Sequence, residues 1–338
     1  RSLNPGQCII AMQTMSKVKV SHYHRTRLWA AAPYATGTPE QAYQQLEDLT
    51  LDVLSETIAK ANGRQIAVPL SAGLDSRLIA SGLQKLGCKN VVCFAYGRRG
   101  NHEATTSKKI AQHLGYPWHF IQYDNRILAS FFHDEDYRNY VHYADSLTGV
   151  HFPQDYPALV SLVTQGQLAQ EALLVNGQSG DFISGNHIPK ALTENPGEPI
   201  EAAIECLLGK HFKHWGHIST NGNLAIIRNM LFTEIAKLLA NEPIDSHVNS
   251  YGIYEASEFI DRQAKYVING QRAYEYLGFD WDLPLWHDRY LDYWSKRGLS
   301  EKMNQTLYRN MLYRANWGDV WRKIPVNKKN IRPRWLIP

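Results

Sequence analysis

Long apolar runs are missing from this 338-residue chain. A membrane-crossing helix needs about 20 consecutive apolar residues, and no segment comes near that length. Charge of one sign is not in excess either. Lys and Arg total 36 against 32 Asp and Glu, a net charge of +4, too balanced to point to a nucleic-acid partner on charge alone. Cysteine is scarce, with four residues, Cys8, Cys88, Cys93 and Cys206. They form no CxxC pair and no zinc-finger spacing, so they read as reduced thiols of a cytoplasmic protein. No charged-then-apolar leader follows Arg1, so no secretory signal is visible. Internal repeats and low-complexity blocks are absent as well.

Apolar periodicity divides the chain. Residues 1–36 read as a seam after a β-rich region, with "QCIIAM" and "SKVKVSHYH" alternating like short strands. Pro39-Glu40 opens a helix in which Tyr43, Leu46, Leu49, Val53, Leu54 and Ile58 recur at helical spacing up to the stop at Asn62-Gly63. Gln65 to Leu70 is a buried strand, and the helix after it carries Leu78, Ile79, Leu83 and Leu86 and ends at Gly87. Val91 to Tyr96 is a second strand, Glu103 to Leu114 a helix stopped by Gly115, and His119-Phe120-Ile121 a third strand. Leu173-Leu174-Val175 is another, followed by the glycine-rich loop "NGQSGDFISGN". Strands alternating with helices predict βαβ units and a parallel sheet. The expected layout is an α/β core over 37–198 and a mainly helical, aromatic-rich half over 199–338.

Ligands of parallel sheets sit beyond the carboxyl ends of the strands. Two small-residue loops, each with one aspartate, are expected there: Ser71–Ser76 in "PLSAGLDSR" and the segment from Asn176 to Gly185. In the first, Ser71 and Ser76 offer hydroxyls, Gly73 lets the backbone approach an anion, and the following helix presents free N–H groups. Asp75 has the wrong charge for phosphate but the right one for a Mg²⁺ that phosphates share, with Asp181 as a second carboxylate. The loop lacks the G-x-x-x-x-G-K-[ST] of a Walker A element, and no G-x-G-x-x-G is present. A tight βα turn alone accounts for one such loop; two acidic loops favour a nucleotide site.

"PLSAGLDSR" resembles the pyrophosphatase (PP) loop, S-G-G-x-D-S, of enzymes that adenylate a substrate and release pyrophosphate. Taken with "CFAYGRRGNHEATTSKKIAQHLG", "VNGQSGDFISGN" and "WDLPLWHDRYLDYW", the chain resembles the synthetase domain of the asparagine synthetase family. Arg77 and Phe182 bring it nearest to the asparagine synthase-like proteins of surface-polysaccharide biosynthesis. "RSLNPGQCIIAM" resembles the segment after that family's glutaminase domain, whose N-terminal cysteine has no counterpart here; Cys8 is not at a terminus. The resemblance implies a PP-loop α/β fold, with ATP and Mg²⁺ as cofactors. It implies adenylation of a small-molecule or glycan carboxylate, such as a sugar uronic acid, and attack by ammonia from a glutaminase domain or subunit. Nucleotide contacts would fall to Leu70, Ser71, Ala72, Gly73, Leu74, Asp75, Ser76, Phe94, Gly177 and Gln178. Asp75 and Asp181 would hold the metal, and Asp75, Asp181, Gln178 and Arg309 would act in catalysis.

Four positions depart from the family pattern. Ala72 stands for a glycine, Gln178 for the glutamate of G-E-G, and Phe182 for an acid. Gln305 falls where the family has a lysine near pyrophosphate, leaving Lys302 or Arg309 to supply the charge. Two alternatives therefore stay open: an intramolecular amide-forming cyclase of the β-lactam synthetase type, with a tyrosine–glutamate pair drawn from Tyr137, Tyr140, Tyr143 or Tyr156, and a degenerate, non-catalytic nucleotide-binding subunit. His211, His214 and His217 share a helical face only partly and suit a metal poorly. "DED" at 134–136 reads as a helix start, and "NKKNIRPRW" as a basic tail. Trp281 and Trp286 could flank the cleft and meet a glycan.

Overall fold

Thr38 and Gln41 start the first long helix by capping each other. Gln41 N–H donates to Thr38 Oγ1 (3.3 Å) and Thr38 N–H to Gln41 Oε1 (2.9 Å), which satisfies two donors that a helix start otherwise leaves open. In the computed structural model, which describes residues 5, 7–10, 19–22, 37–147, 149–194, 198–240 and 249–326, this helix (α1) spans Pro39–Ala61 and ends on Asn62 in the left-handed conformation. Two short strands, β1 (Gln7–Ile10) and β2 (Lys19–His22), pair antiparallel where the sequence alternates. The rest of the 1–36 seam and the basic tail lie outside the described residues.

The central sheet follows the apolar runs. Strand β3 (Ile66–Pro69) leads into helix α2 (Asp75–Lys85), β4 (Val91–Gly97) into α3 (His102–Leu114), and β5 (Trp118–Gln122) into α4 (Asn125–His133) and α5 (Glu135–Ala144). Asp134 caps α5 by accepting from Asp136 N–H at 2.8 Å, the helix start read from "DED". Helix α6 (Tyr156–Thr164) precedes β6 (Leu173–Val175), and a four-residue helix, α7 (Gly180–Ile183), follows it. The fifth strand, β7 (Asp280–Asp282), comes from the otherwise helical half. Three residues, two of them acidic, carry no apolar alternation and so no strand signal. The order is β5-β4-β3-β6-β7, and every pairing is parallel.

Pleating sorts the strand side chains onto two faces. Ile66, Val68, Leu173 and Val175 enter one core with α1, α2 and the aromatic residues Trp294, Trp317 and Trp321. Ala67, Val92, Phe94 and Leu174 enter the other, with Tyr137, Tyr140 and Tyr156 from α5 and α6. A third apolar cluster gathers around Ile204, Ile235 and Tyr254 of the helical half. No helix among the described residues is long and apolar enough to cross a membrane.

This topology fixes where a ligand goes. The chain leaves β3 toward β4 and β5, then returns to the other side of β3 with β6. The sheet therefore has its switch point between β3 and β6, and the crevice there is the expected binding edge of an open α/β sheet. The loops read as functional from the sequence follow those two strands.

Candidate functional site

The two acidic loops meet. Asp181 N–H donates to Asp75 Oδ2 at 3.1 Å, and Tyr308 OH donates to Asp75 Oδ1 at 2.9 Å. The approach is close enough to demand glycine. A Cβ on Gly177 would stand 2.6 Å from the Ser76 amide nitrogen, and one on Gly180 would stand 2.6 Å from Asp75 Oδ1. Any side chain at either position would push the second loop off the first.

The first loop is braced from within. Ser71 N–H donates to Ser76 Oγ (2.9 Å), Gly73 N–H donates to Ser71 Oγ (3.1 Å), and the two hydroxyls lie 3.1 Å apart. Leu70 and Leu74 are buried beneath it, and no side chain caps the first turn of α2. Uncapped N–H groups and the positive end of the helix dipole favour an anion at this point. Ala72 is fully buried and is not among the residues with positive φ. Its methyl therefore packs inside, and the replacement of the family's glycine does not fill the open face of the loop. Its carbonyl accepts from Arg77 Nη2 at 2.8 Å.

Arg77, also fully buried, ties the loop to the end of the described chain. Its guanidinium donates to the Val320 and Ile324 carbonyls (3.3 and 2.7 Å) and lies over the Trp321 ring. Burial without a carboxylate partner pulls its pKa down to about 10.

Electrostatics divide the two aspartates. Burial, and then the charge of Asp181, push Asp75 up to about 7; Tyr308, the Asp181 amide and the Arg309 charge work against that rise. Burial also works upward on Asp181, but the His187 hydrogen bond and charge, the Phe182 amide and Arg262 outweigh it and hold that carboxyl below its usual range. His187 Nε2 lies 3.0 Å from Asp181 Oδ2. An ionised carboxylate only accepts, so Nε2 carries the proton there.

The pair suits Mg²⁺. Two adjacent carboxylates, one of them raised by its neighbour's charge, are the arrangement a divalent cation relieves. No cluster of three or more His, Cys, Asp or Glu side chains that could hold a metal exists among the described residues. The ion would need further oxygens from elsewhere, and Mg²⁺ commonly binds through one or two carboxylates plus the phosphates of its substrate.

The remaining expected residues fall around this centre. Gln178 N–H donates to Asn176 Oδ1 (3.0 Å), and its side-chain oxygen accepts from Gln271 Nε2. Phe94 is buried in the core face, with its carbonyl accepting from Leu70 N–H. Phe182 is buried against Trp286 and His187. Gln305 is buried and donates to Ser184 Oγ at 2.7 Å. Lys302 is held in a 2.8 Å ion pair with Glu255, both side chains 1% exposed. Arg309 is half-buried, and its charge reaches Asp75. Of the two cations weighed for the missing lysine, Arg309 is the one that acts on the loop.

Other residues matter that the sequence did not single out. Tyr308 holds Asp75, three residues after Gln305, the position that stands for the lysine of the resembled pattern. His187 holds Asp181 one residue past the quoted loop. Ser179 has φ 72°, a left-handed conformation more natural to glycine, and its hydroxyl donates to Gln263 Oε1 at 3.3 Å. Behind the sheet edge, Asn176 Nδ2 donates to Tyr274 OH (2.9 Å), and Tyr274 and Tyr96 both donate to the buried Asp155. Burial pushes the Asp155 carboxyl upward. Of the tyrosines weighed for a cyclase, Tyr137 bonds His151 (2.7 Å) and Tyr140 bonds the Phe152 carbonyl (2.7 Å). None of the four bonds a glutamate among the described residues. Trp286 stacks on Phe259 at 4.7 Å, and Trp281 donates to Glu275 at 3.0 Å. His211 pairs with Glu258.

Residues 51–148 match the asparagine synthase family. That span holds the first loop, its helix and strands β3 to β5, so the resemblance drawn from "PLSAGLDSR" is borne out over it. A probable glutamine-hydrolysing asparagine synthetase of Acanthamoeba polyphaga mimivirus is 35% identical over 85 residues, 24% of this chain and 16% of that protein. The match thus spans about a sixth of the curated relative's length. Among solved structures, an NH3-dependent NAD synthetase from Campylobacter jejuni is similar at 11% identity and a TM-score of 0.31, covering 60% of this chain and 97% of that one. The fold is α/β with a five-stranded parallel sheet, as the alternation of strands and helices implied.

Proposed function

We propose that this chain is an ATP-dependent, AMP- and pyrophosphate-forming amide ligase that activates a substrate carboxylate for attack by ammonia. The observation that carries the reading is the 3.1 Å contact between Asp75 and the Asp181 amide at the sheet's switch point. It joins the Ser71–Ser76 loop, which lies in the segment matching the asparagine synthase family, to a second acidic loop beyond that segment.

Each residue then has a physical task. The Ser71 and Ser76 hydroxyls and the uncapped turn of α2 receive the phosphates. Asp75 and Asp181 would hold Mg²⁺, which neutralises phosphate charge when bound. Arg309, whose charge acts on Asp75, would offset charge on the departing pyrophosphate. Gln178, fixed by Asn176 and Gln271, orients the far side of the crevice. Phosphoryl-type transfers are governed by positioning and charge neutralisation, so these tasks suffice for the protein's share. Ammonia would come from a glutaminase domain or subunit.

The test is product analysis with ATP, Mg²⁺, ammonium and candidate carboxylates. AMP and pyrophosphate are expected in equal amounts, and Asp75→Asn should lower their release by about a hundredfold or more. ADP and phosphate as products would refute the mechanism.

A further inference from the structure

The second loop brings Gln178 and Asp181 against the first, and contacts from outside the loop hold it in place. Asn176, at the end of β6, has its backbone N–H fixed by the Asp282 carbonyl of β7 at 3.2 Å. Its side-chain amide works at both ends. Oδ1 accepts from Gln178 N–H (3.0 Å), and Nδ2 donates to Tyr274 OH (2.9 Å). The single hydrogen of Tyr274 OH goes to Asp155 Oδ2 at 2.5 Å, and Tyr96 OH donates to the other carboxylate oxygen. Asp155, Asn176 and Tyr274 are all buried. One line of hydrogen bonds therefore runs from the end of β4, past the start of α6 and the short helix Arg272–Tyr276, to the loop after β6.

Directionality along this line matters more than its length. A side-chain amide has a donor end and an acceptor end, and either could face the loop. As a carboxylate, Asp155 only accepts, so Tyr274 must give it the phenolic hydrogen. The tyrosine then has only lone pairs to offer Asn176. Asn176 turns its Nδ2 to the tyrosine and keeps Oδ1 for the Gln178 N–H. Reversed, it would set a donor against a donor and release the loop backbone. An acid two hydrogen bonds away thus selects the amide orientation that the loop requires.

The same helical region grips the loop twice more. Gln271, three residues before Tyr274 and so on the same helical face, donates to Gln178 Oε1, and Gln263 Oε1 accepts from Ser179 Oγ at 3.3 Å. Contacts from residues 263–274 therefore reach Asn176, Gln178 and Ser179, just ahead of Asp181.

We infer that Tyr274, oriented by Asp155, is a positioning residue of the proposed reaction: through Asn176 it holds the second loop where Asp181 can share a metal ion with Asp75. The assignment rests on the ligase reading, but the grip on the loop is measurable without turnover. Tyr274→Phe keeps the ring and removes the hydroxyl. Asp155→Asn keeps the shape but can donate to the tyrosine oxygen, which frees the phenolic hydrogen for Asn176. Tyr116→Phe is the control, because it removes a buried hydroxyl that donates to the Cys88 carbonyl at 2.9 Å, before β5 begins and away from the loops.

Two measurements on the full chain decide the matter: amide hydrogen exchange without ligand, and the Mg²⁺ concentration for half-maximal pyrophosphate release from ATP. Tyr274→Phe and Asp155→Asn should each speed exchange across residues 176–181. Each should also raise the Mg²⁺ requirement by about tenfold, the effect of losing one buried hydrogen bond. Tyr116→Phe should change neither. Unaltered loop exchange in Tyr274→Phe, or an equal rise in Mg²⁺ requirement in Tyr116→Phe, would overturn the assignment. Faster loop exchange in Tyr274→Phe, in a chain whose wild type releases no pyrophosphate, would keep the grip and remove the ligase reading. Pyrophosphate release with exchange and Mg²⁺ requirement both unaltered in Tyr274→Phe would do the reverse.

Discussion

Asp75 carries most of the proposed chemistry, and its raised pKa makes the sign of two effects testable. Its pKa is about 7 in the fold against an ordinary 3.8, so the folded chain holds this proton more tightly than the unfolded chain. Stability should therefore fall as pH rises through the window from about 4 to 7. Asp75→Asn removes that loss: without Mg²⁺ its unfolding midpoint should exceed the wild type's at pH 8 and converge with it near pH 4. Mg²⁺ should raise the wild-type midpoint at pH 8 and leave the variant's unmoved, because only the carboxylate form binds the ion. Thermal melts with and without Mg²⁺ check both; a variant less stable than wild type at pH 8 would contradict the electrostatic account. Tyr308→Phe removes a hydrogen bond that favours the charged form, so the acid limb of the pH–rate profile should move to higher pH. Arg309→Ala should shift that limb the same way and also lower turnover.

At the scale of elements, the joining of the loops depends on backbone proximity. Gly177→Ala places a methyl 2.6 Å from the Ser76 nitrogen, in contact with backbone that cannot swing away. A cost of about 1–3 kcal/mol is expected, with loss of nucleotide binding out of proportion to the loss of stability. Equal MgATP affinity in Gly177→Ala would show that the loops need not touch. Arg77 holds a different joint, between α2 and residues 320–325. Arg77→Met leaves the Ala72, Val320 and Ile324 carbonyls without their donor and should cost about 2–4 kcal/mol. Faster amide hydrogen exchange confined to 317–325 and the Ser71–Ser76 loop is the expected signature. Exchange unchanged in that segment would mean the arginine is not its tether.

What the sequence revealed follows the strength of its local signals. Helix α1 was legible because Thr38, Pro39 and Asn62 mark its ends and six apolar residues mark one face. Strands β3, β4 and β6 were legible as short apolar runs stopped by glycine or proline. Strand β7 was not: it is three residues long and is held by pairing to β6, a tertiary cause. The same division applies to the site. Asp75 and Asp181 sit in recognisable loops, whereas Tyr308 reaches the centre from a helix and His187 from the turn after α7, through packing that no local pattern encodes. Ala72 looked like a lesion in the loop, but a buried methyl leaves the loop's open face intact. Lys302 looked like a spare cation, but its charge is spent on Glu255.

At the scale of the whole molecule, the site is assembled from three parts of the chain: the loop after β3, the loop after β6, and the helices from 250 to 320. The buried Lys302–Glu255 pair pins two of those helices together behind the second loop. Breaking it by Glu255→Ala leaves a buried ammonium unpaired, with an expected cost of about 3–5 kcal/mol. A matched apolar replacement of both residues should recover most of that loss, and denaturant titration would distinguish the two outcomes. The central claim is that two acidic loops at one switch point form a pyrophosphate-releasing ATP site. It is tested most directly by incubating the chain with α- and γ-labelled ATP, Mg²⁺, ammonium and D-glucuronate. The account requires label in AMP and in pyrophosphate, in equal amounts and lost in Asp75→Asn. Label in ADP and inorganic phosphate, or pyrophosphate release undiminished in Asp75→Asn, would contradict it.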